Sequence, residues 1–179
     1  EVAAVREAVG INEVQNFGKY RVTGPRARAW LDRIMAGRIP AQGRLALNPM
    51  LAPSGRIIGD FTVSCLDAAT FHLTASYGAQ AYHMRWFLQH LEDGVRIENV
   101  SDRLTGFQIA GPRARDVLAA CTRDDVGTMR FMDVRRVTVG MTDCLIQRVS
   151  YTGDLGYEIY CDPMAQRQLW QTLWAAGQP

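Results

Sequence analysis

The sequence predicts an α+β protein made of two repeated split-βαβ, ferredoxin-like units with mostly antiparallel sheets. Three observations carry this expectation. The pentapeptide Gly-Pro-Arg-Ala-Arg stands at residues 24–28 and again at 111–115, 87 positions apart. Each copy follows a strand-like run and opens an apolar stripe at helical spacing. Each half then closes on a short strand and a second helix. Gly-Pro alone is a common turn pair, so it is the agreement of the stripes and endings that argues for duplication.

The elements follow in order. The chain opens in what reads as a helix, then a strand at 18–22 leads into the first Gly-Pro. Pro25 lies near the first turn of a helix, where its missing N–H is no loss. Ala27, Trp30, Leu31 and Ile34 form that helix's apolar stripe. Strands are expected at 45–47, 56–66 and 71–74, then a helix carrying Met84, Phe87, Leu88 and Leu91. In the second half the strand is 105–109, followed by Pro112 and the stripe Ala114, Val117, Leu118 and Cys121. Strands at 134–139, 142–150 and 157–161 follow. Asp162 then reads as an N-cap and Pro163 as the first position of a helix carrying Leu169, Trp170, Leu173 and Trp174. The expected units are 1–104 and 105–179, both parts of one larger domain, and a chain that opens at Glu1 without Met reads as a piece of a longer protein.

Composition narrows the function classes. The 179 residues are 47% hydrophobic and 21% charged, as in ordinary globular proteins. Twenty basic against eighteen acidic residues is too even a balance to argue for nucleic acid or a membrane surface as partner. No apolar run approaches a transmembrane span, and no signal-like segment opens the chain. The basic residues are 19 Arg and one Lys, Lys19, a skew that fits a GC-rich genome and no particular chemistry. Cys65, Cys121, Cys144 and Cys161 include no C-x-x-C pair, so neither zinc nor a dithiol is indicated and a reducing, cytoplasmic setting fits. His72, His83 and His90 lack a second ligand at metal spacing and read as surface or satisfied histidines. No nucleophile elbow, dinucleotide fingerprint or phosphate loop is present.

Two carboxylates interrupt strand patterns. In 56–66, Ile57, Gly59, Phe61, Val63 and Cys65 alternate with Ile58, Asp60, Thr62 and Ser64. Asp is depleted in strand interiors, and the adjoining Gly59 marks a close approach by a ligand or another backbone. A solvated edge position explains Asp60 equally simply. Glu158 follows the turn residues Thr152-Gly-Asp-Leu-Gly156, with Tyr157, Ile159 and Cys161 expected on the core face and Glu158 and Tyr160 opposite. Its plain alternative is a solvent-facing strand residue.

At these residues the sequence resembles the T-protein-like, tetrahydrofolate-binding aminomethyltransferase family. Within it, the chain is most similar to the folate domain of dimethylglycine and sarcosine dehydrogenases or oxidases. The match runs through residues 10–12 and 17–25, Met50-Leu51, Gly55-Arg-Ile-Ile-Gly-Asp-Phe-Thr-Val63, Phe107-Gln-Ile-Ala-Gly-Pro112, Ser150-Tyr-Thr-Gly-Asp-Leu-Gly-Tyr-Glu-Ile159, Leu169-Trp170 and Ala176-Gly177. The Tyr-Thr-Gly-acid-x-Gly-aromatic-Glu element is the specific one. Glycine-cleavage aminomethyltransferases usually carry Asn-Ala where this chain has Thr74-Ala75, and Glu-Asp where it has Asp154-Leu155. Both departures point to the dehydrogenase and oxidase branch.

The resemblance implies a folate-binding aminomethyltransferase-like fold whose C-terminal barrel is absent from these residues, with FAD held by a separate upstream domain. It implies that Glu158 binds the pterin edge of tetrahydrofolate, that Tyr151 walls the pterin pocket, and that Leu51 adds apolar surface to it. It gives Asp60 the essential acidic position of the chemistry. The function implied is capture of the one-carbon unit from demethylation of dimethylglycine or sarcosine as 5,10-methylenetetrahydrofolate, with folate and a methylamine-derived unit as small-molecule partners. The alternatives are a glycine-cleavage aminomethyltransferase and, in another class, a non-catalytic folate-binding or regulatory module or an inactive fragment. Iron–sulfur-related relatives of the fold carry a Lys-Gly-Cys-aromatic-x-Gly-Gln-Glu element, whereas this chain has Tyr151-Thr-Gly-Asp-Leu-Gly-Tyr-Glu158.

Overall fold

A computed structural model describes residues 2–178. The chain runs α1 (Val2–Glu7), β1 (Gly10–Glu13), β2 (Phe17–Thr23), α2 (Ala27–Ile34), β3 (Arg44–Leu51), β4 (Ile57–Asp67), β5 (Thr70–Ser76), α3 (Gln80–Gln89), β6 (Arg96–Asn99), β7 (Thr105–Ala110), α4 (Ala114–Ala120), β8 (Val134–Val139), β9 (Thr142–Gln147), β10 (Gly156–Cys161) and α5 (Gln166–Gly177). Contacts divide it into residues 16–101 and residues 1–15 with 102–179. Each unit holds one five-stranded sheet, ordered β3-β4-β5-β2-β6 and β1-β7-β10-β9-β8. Every strand pairing is antiparallel. Three strands lie between the helices of each unit, so the central neighbours β2 and β5, and β7 and β10, run in opposite directions.

The expected division at 104/105 differs from these units at the N-terminus. β1 pairs with β7, Gly10 opposite Ala110 through Glu13 opposite Phe107. In the first unit the edge next to β2 is filled by β6, which follows α3. In the second unit the corresponding edge, next to β7, is filled from the front of the chain. Strand pairing is non-local, so sequence order does not reveal it.

The repeated pentapeptide has a structural explanation. Gly24 and Gly111 adopt φ of 126° and 132°, a region natural only to glycine. A Cβ on Gly24 would collide with the carbonyl of Gly94, and one on Gly111 with that of Ala8. The second arginine then straps each helix to its sheet. Arg28 Nη2 donates to the Pro40 carbonyl at 3.0 Å, and its guanidinium stands 5.3 Å above the Phe71 ring. Arg115 Nε donates to Tyr157 Oη at 3.0 Å, and its Nη2 donates to the Met129 carbonyl at 3.3 Å. Phe71 and Tyr157 hold equivalent places, opposite Val22 and Ile109.

Each sheet buries one face under its helices. In residues 16–101 the core gathers Tyr20, Trp30, Leu31, Phe61, Phe71, Leu73 and Phe87. In the other unit it gathers Phe107, Ile109, Leu118, Ile146, Tyr157, Leu169 and Leu173. Two stripe expectations change. Leu88 and Leu91 are exposed, whereas Phe87 is buried as expected, His83 is buried beside it, and Met84 packs half-buried against the core. On α5, Leu169 and Leu173 are buried, while Trp170 and Trp174 stack on each other at 5.1 Å on an exposed face. The Asp162 cap is present, its Oδ1 accepting from Met164 N at 2.9 Å.

Strand β4 also departs from simple alternation. The β3–β4 register shifts between Met50 and Leu51, so Met50 faces Gly59 while Leu51 faces Ile57. A β-bulge of this kind turns one residue out of phase. Ile58 therefore joins the core with Phe61 and Val63 while Ile57 is exposed, although the alternation set Ile57 on the face of Phe61 and Ile58 on the face of Asp60.

Candidate functional site

The centre of interest in residues 1–15 and 102–179 is β10. As the alternation predicts, Tyr157, Ile159 and Cys161 point into the core. Glu158 and Tyr160 occupy the opposite face, and neither lies open to solvent: they are 9% and 1% exposed. Tyr160 Oη donates to Glu158 Oε2 at 2.8 Å. Residues two apart on a strand share a face, so β10 supplies the carboxylate and its donor together. Burial, and then the Glu158 charge and hydrogen bond, push the Tyr160 phenol well above its ordinary range. It therefore remains a protonated donor across the range in which proteins work.

Glu158 lies opposite Gln108 on β7 and Gln147 on β9, and Asn12 on β1 lies opposite Gln108. The row Asn12, Gln108, Glu158, Gln147 thus crosses four strands on one face. Gln108, Glu158 and Gln147 are all buried. A buried polar row on a sheet is costly unless each group is satisfied. The Gln108 Nε2 is buried and has no hydrogen-bond partner among the described residues.

The turn before β10 is organised by its own side chains. Ser150 Oγ donates to the Asp154 carbonyl at 2.6 Å, and Gly153 takes φ of 81°. A Cβ on Gly156 would lie 2.5 Å from the Ser150 Cβ, so the glycine lets the turn pack down on the strand. Tyr151 stands out from this turn, 88% exposed. The structure does not bring it against Glu158.

Asp60 and Leu51 belong to the other unit, residues 16–101. Asp60 is exposed on β4, opposite Pro49. Leu51 is half-buried at the end of β3, beside the bulge. Gly59 is explained by a side chain of the same unit: a Cβ there would lie 2.5 Å from His83 Nε2. His83 is 1% exposed, hydrogen-bonded to the Ile58 backbone, and its Nδ1 lies 3.0 Å from Tyr20 Oη. Burial lowers the His83 pKa, partly opposed by the Ile58 bond, and lifts Tyr20 to about 12. A neutral ring with Nε2–H donating to the Ile58 carbonyl and Nδ1 accepting from Tyr20 satisfies every group. His83 is thus a satisfied histidine that clamps the bulge next to Asp60.

Sequence reasoning missed three residues of interest. Tyr160 was placed on the correct face without a role, although an aromatic hydroxyl two residues from a strand glutamate was a readable signal. Gln108 carried no signal, because its register with Glu158 is set by tertiary pairing. Lys19, read as a compositional oddity, is fully buried on β2 opposite Thr74, with Nζ donating to the Phe17 carbonyl at 3.0 Å. A lone lysine in an apolar strand was a signal in itself, since a buried ammonium is costly.

With this geometry described, similarity to known proteins decides the lineage. The family profile for the GCVT N-terminal domain matches residues 1–179. The chain belongs to the GCVT N-terminal domain family. Among relatives of this GCVT domain, human mitochondrial dimethylglycine dehydrogenase is 31% identical over 183 residues, covering 99% of this chain and 21% of the relative. An aminomethyltransferase from Chlorobium phaeobacteroides is 31% identical over 182 residues, covering 99% of this chain and 50% of the relative. The GCVT domain thus spans about a fifth to a half of the curated relatives it matches. In fold it superposes on the glycine cleavage system aminomethyltransferase T of Bartonella henselae with TM-score 0.84 and 21% identity, over 94% of this chain and 46% of that one. The heterotetrameric sarcosine oxidase of Corynebacterium sp. U-96, solved with pyrrole 2-carboxylate, gives TM-score 0.75 and 17% identity, over 97% of this chain and 87% of that one. The chain is an aminomethyltransferase-like domain related to both dimethylglycine dehydrogenase and aminomethyltransferase.

Proposed function

We propose that this domain binds tetrahydrofolate and serves one-carbon transfer, capturing the unit released on demethylation of dimethylglycine or sarcosine as 5,10-methylenetetrahydrofolate. The observation that carries the reading is Glu158: a carboxylate buried on a sheet face, held by the Tyr160 hydroxyl, in a GCVT N-terminal domain. The row fits the chemistry of a reduced folate. A 2-amino-4-oxopyrimidine edge offers two adjacent N–H donors, which one carboxylate accepts as a bidentate, charge-assisted pair. Tetrahydrofolate supplies a nucleophilic nitrogen for the one-carbon unit. Asp60 is the residue to take the proton from that nitrogen, and a fixed carboxylate also stabilises a cationic carbon. The family resemblance supports an aromatic contact to the folate for Tyr151 and an apolar one for Leu51.

Thr74-Ala75 and Asp154-Leu155 favour the dimethylglycine and sarcosine branch. A glycine-cleavage aminomethyltransferase is the second reading, favoured by an equal identity to that group of relatives. Titration calorimetry with tetrahydrofolate on the full chain tests the binding role, and a methylene-transfer assay tests the chemistry. Glu158→Ala is expected to lose most of the affinity, and Asp60→Asn to keep the affinity and lose transfer. Undiminished binding by Glu158→Ala removes Glu158 from the site, and undiminished transfer by Asp60→Asn removes Asp60 from the mechanism.

A further inference from the structure

The Gln108 side chain is buried, and its Nε2 is a hydrogen-bond donor without a partner among the described residues. It lies directly opposite Glu158 in the β7–β10 register, on the same face of the sheet. Side chains so paired start about 5 Å apart at Cβ, close enough to meet one small planar ligand together. On the other flank stands Gln147, and on the same strand Tyr160 fixes the Glu158 carboxylate. Buried donors in folded proteins are nearly always satisfied, so an exception calls for a partner that the described residues do not supply, a water or a ligand group. The partner must be an acceptor, because the unmatched atom is an N–H.

We infer that Gln108 is a specificity-determining residue of the Glu158 site, whose amide N–H donates to an acceptor adjoining the N–H pair that the carboxylate takes. This rests on the folate reading above. The edge of a 4-oxopterin runs N–H, N–H, C=O, and the protein row answers it with acceptor, acceptor and donor. A 4-amino pterin presents a donor where the carbonyl stood and a bare nitrogen where N3–H stood, so it loses the bond from the Gln108 N–H and one of the two bonds to Glu158. Sites built to hydrogen-bond a ligand group reject analogues that cannot pair with it, because the buried protein group is left unmatched.

The test measures the dissociation constants of tetrahydrofolate and of its 4-amino counterpart on the full chain. Wild type is compared with the near-isosteric Gln108→Met and with Gln108→Glu, which replaces the donor by an acceptor. The preference for the 4-oxo ligand is expected to fall about tenfold in Gln108→Met and further in Gln108→Glu, leaving the share that the N3–H bond to Glu158 contributes. Thermal unfolding of each variant verifies that it is folded, and the ratio of two ligands on one variant cancels any general loosening. Wild-type discrimination retained unchanged in both variants overturns the role of Gln108 and leaves the folate reading standing. Failure of the wild type to bind either pterin overturns that reading and this inference with it.

Discussion

The two units use one scaffold with two different second faces. Offsetting by the repeat, the core-facing pairs are close in kind: Val22 and Phe71 in one unit answer Ile109 and Tyr157 in the other, and Leu73 answers Ile159. All six are buried in their cores. On the opposite face the same registers hold unrelated side chains. His72 stands where Glu158 stands, Arg21 where Gln108 stands, Ser64 where Gln147 stands, and Thr74 where Tyr160 stands. Duplication kept what packing demands and let the other face diverge. The carboxylate role assigned to Glu158 should therefore have no counterpart at His72, the matching position of the other unit.

The sharpest way to break this comparison is to exchange the equivalent pair. Glu158→Gln leaves a buried amide where two N–H donors expect a carboxylate, and tetrahydrofolate affinity is expected to fall about a hundredfold. His72→Gln, at the matching place, is expected to change affinity less than about threefold, as for any site that does not touch the ligand. Calorimetry on both variants decides it. Equal losses would mean that the two second faces are not functionally distinct.

The shared half of the comparison is tested through the arginine straps. Arg28→Ala removes a charged hydrogen bond to a carbonyl and an aromatic contact, and Arg115→Ala removes the counterpart bonds to Tyr157 and Met129. Each is expected to cost about 2 kcal/mol, read as a shift in denaturant midpoint. If only one of the two destabilises, the strap is not a conserved property of the repeat.

The duplication was legible because it is local. A pentapeptide, two helical stripes and a strand before each helix all lie within one stretch of chain. The site was legible only as candidates. Alternation shows which residues share a face, as with Glu158 and Tyr160, but not whether that face is covered. The pairing of Gln108 with Glu158 joins residues fifty positions apart, and the edge place of β1 joins the front of the chain to β7. The bulge at Ile58 defeated the alternation that set Ile57 on one face with Phe61 and Ile58 on the other with Asp60, because a single extra residue reverses every assignment beyond it. Gly59 does mark a close approach, but of the His83 side chain and not of the ligand or backbone that the sequence led us to expect.

That histidine supplies the smallest expected effect, and one confined to the unit that carries Asp60. His83 packs against Phe61, with ring centroids 4.8 Å apart, and against Tyr20. Burial lowers its pKa below the ordinary 6.5. In the unfolded chain the ring takes up a proton as pH falls through 6.5, while the folded ring resists until its own lower pKa is reached. Over that window the unfolded state binds more protons, so stability declines as pH falls and is fully present above 6.5. His83→Gln keeps a donor for the Ile58 carbonyl and an acceptor for the Tyr20 hydroxyl but cannot titrate. Denaturant unfolding at a series of pH values is expected to show a shallower slope for this variant below 6.5, with little difference above it. An unchanged slope would place the titrating group elsewhere and leave His83 a packing residue only. No position in the second unit should reproduce the effect, because the residue that matches His83 in the repeat, Leu169, carries no titratable group and is buried in its own core.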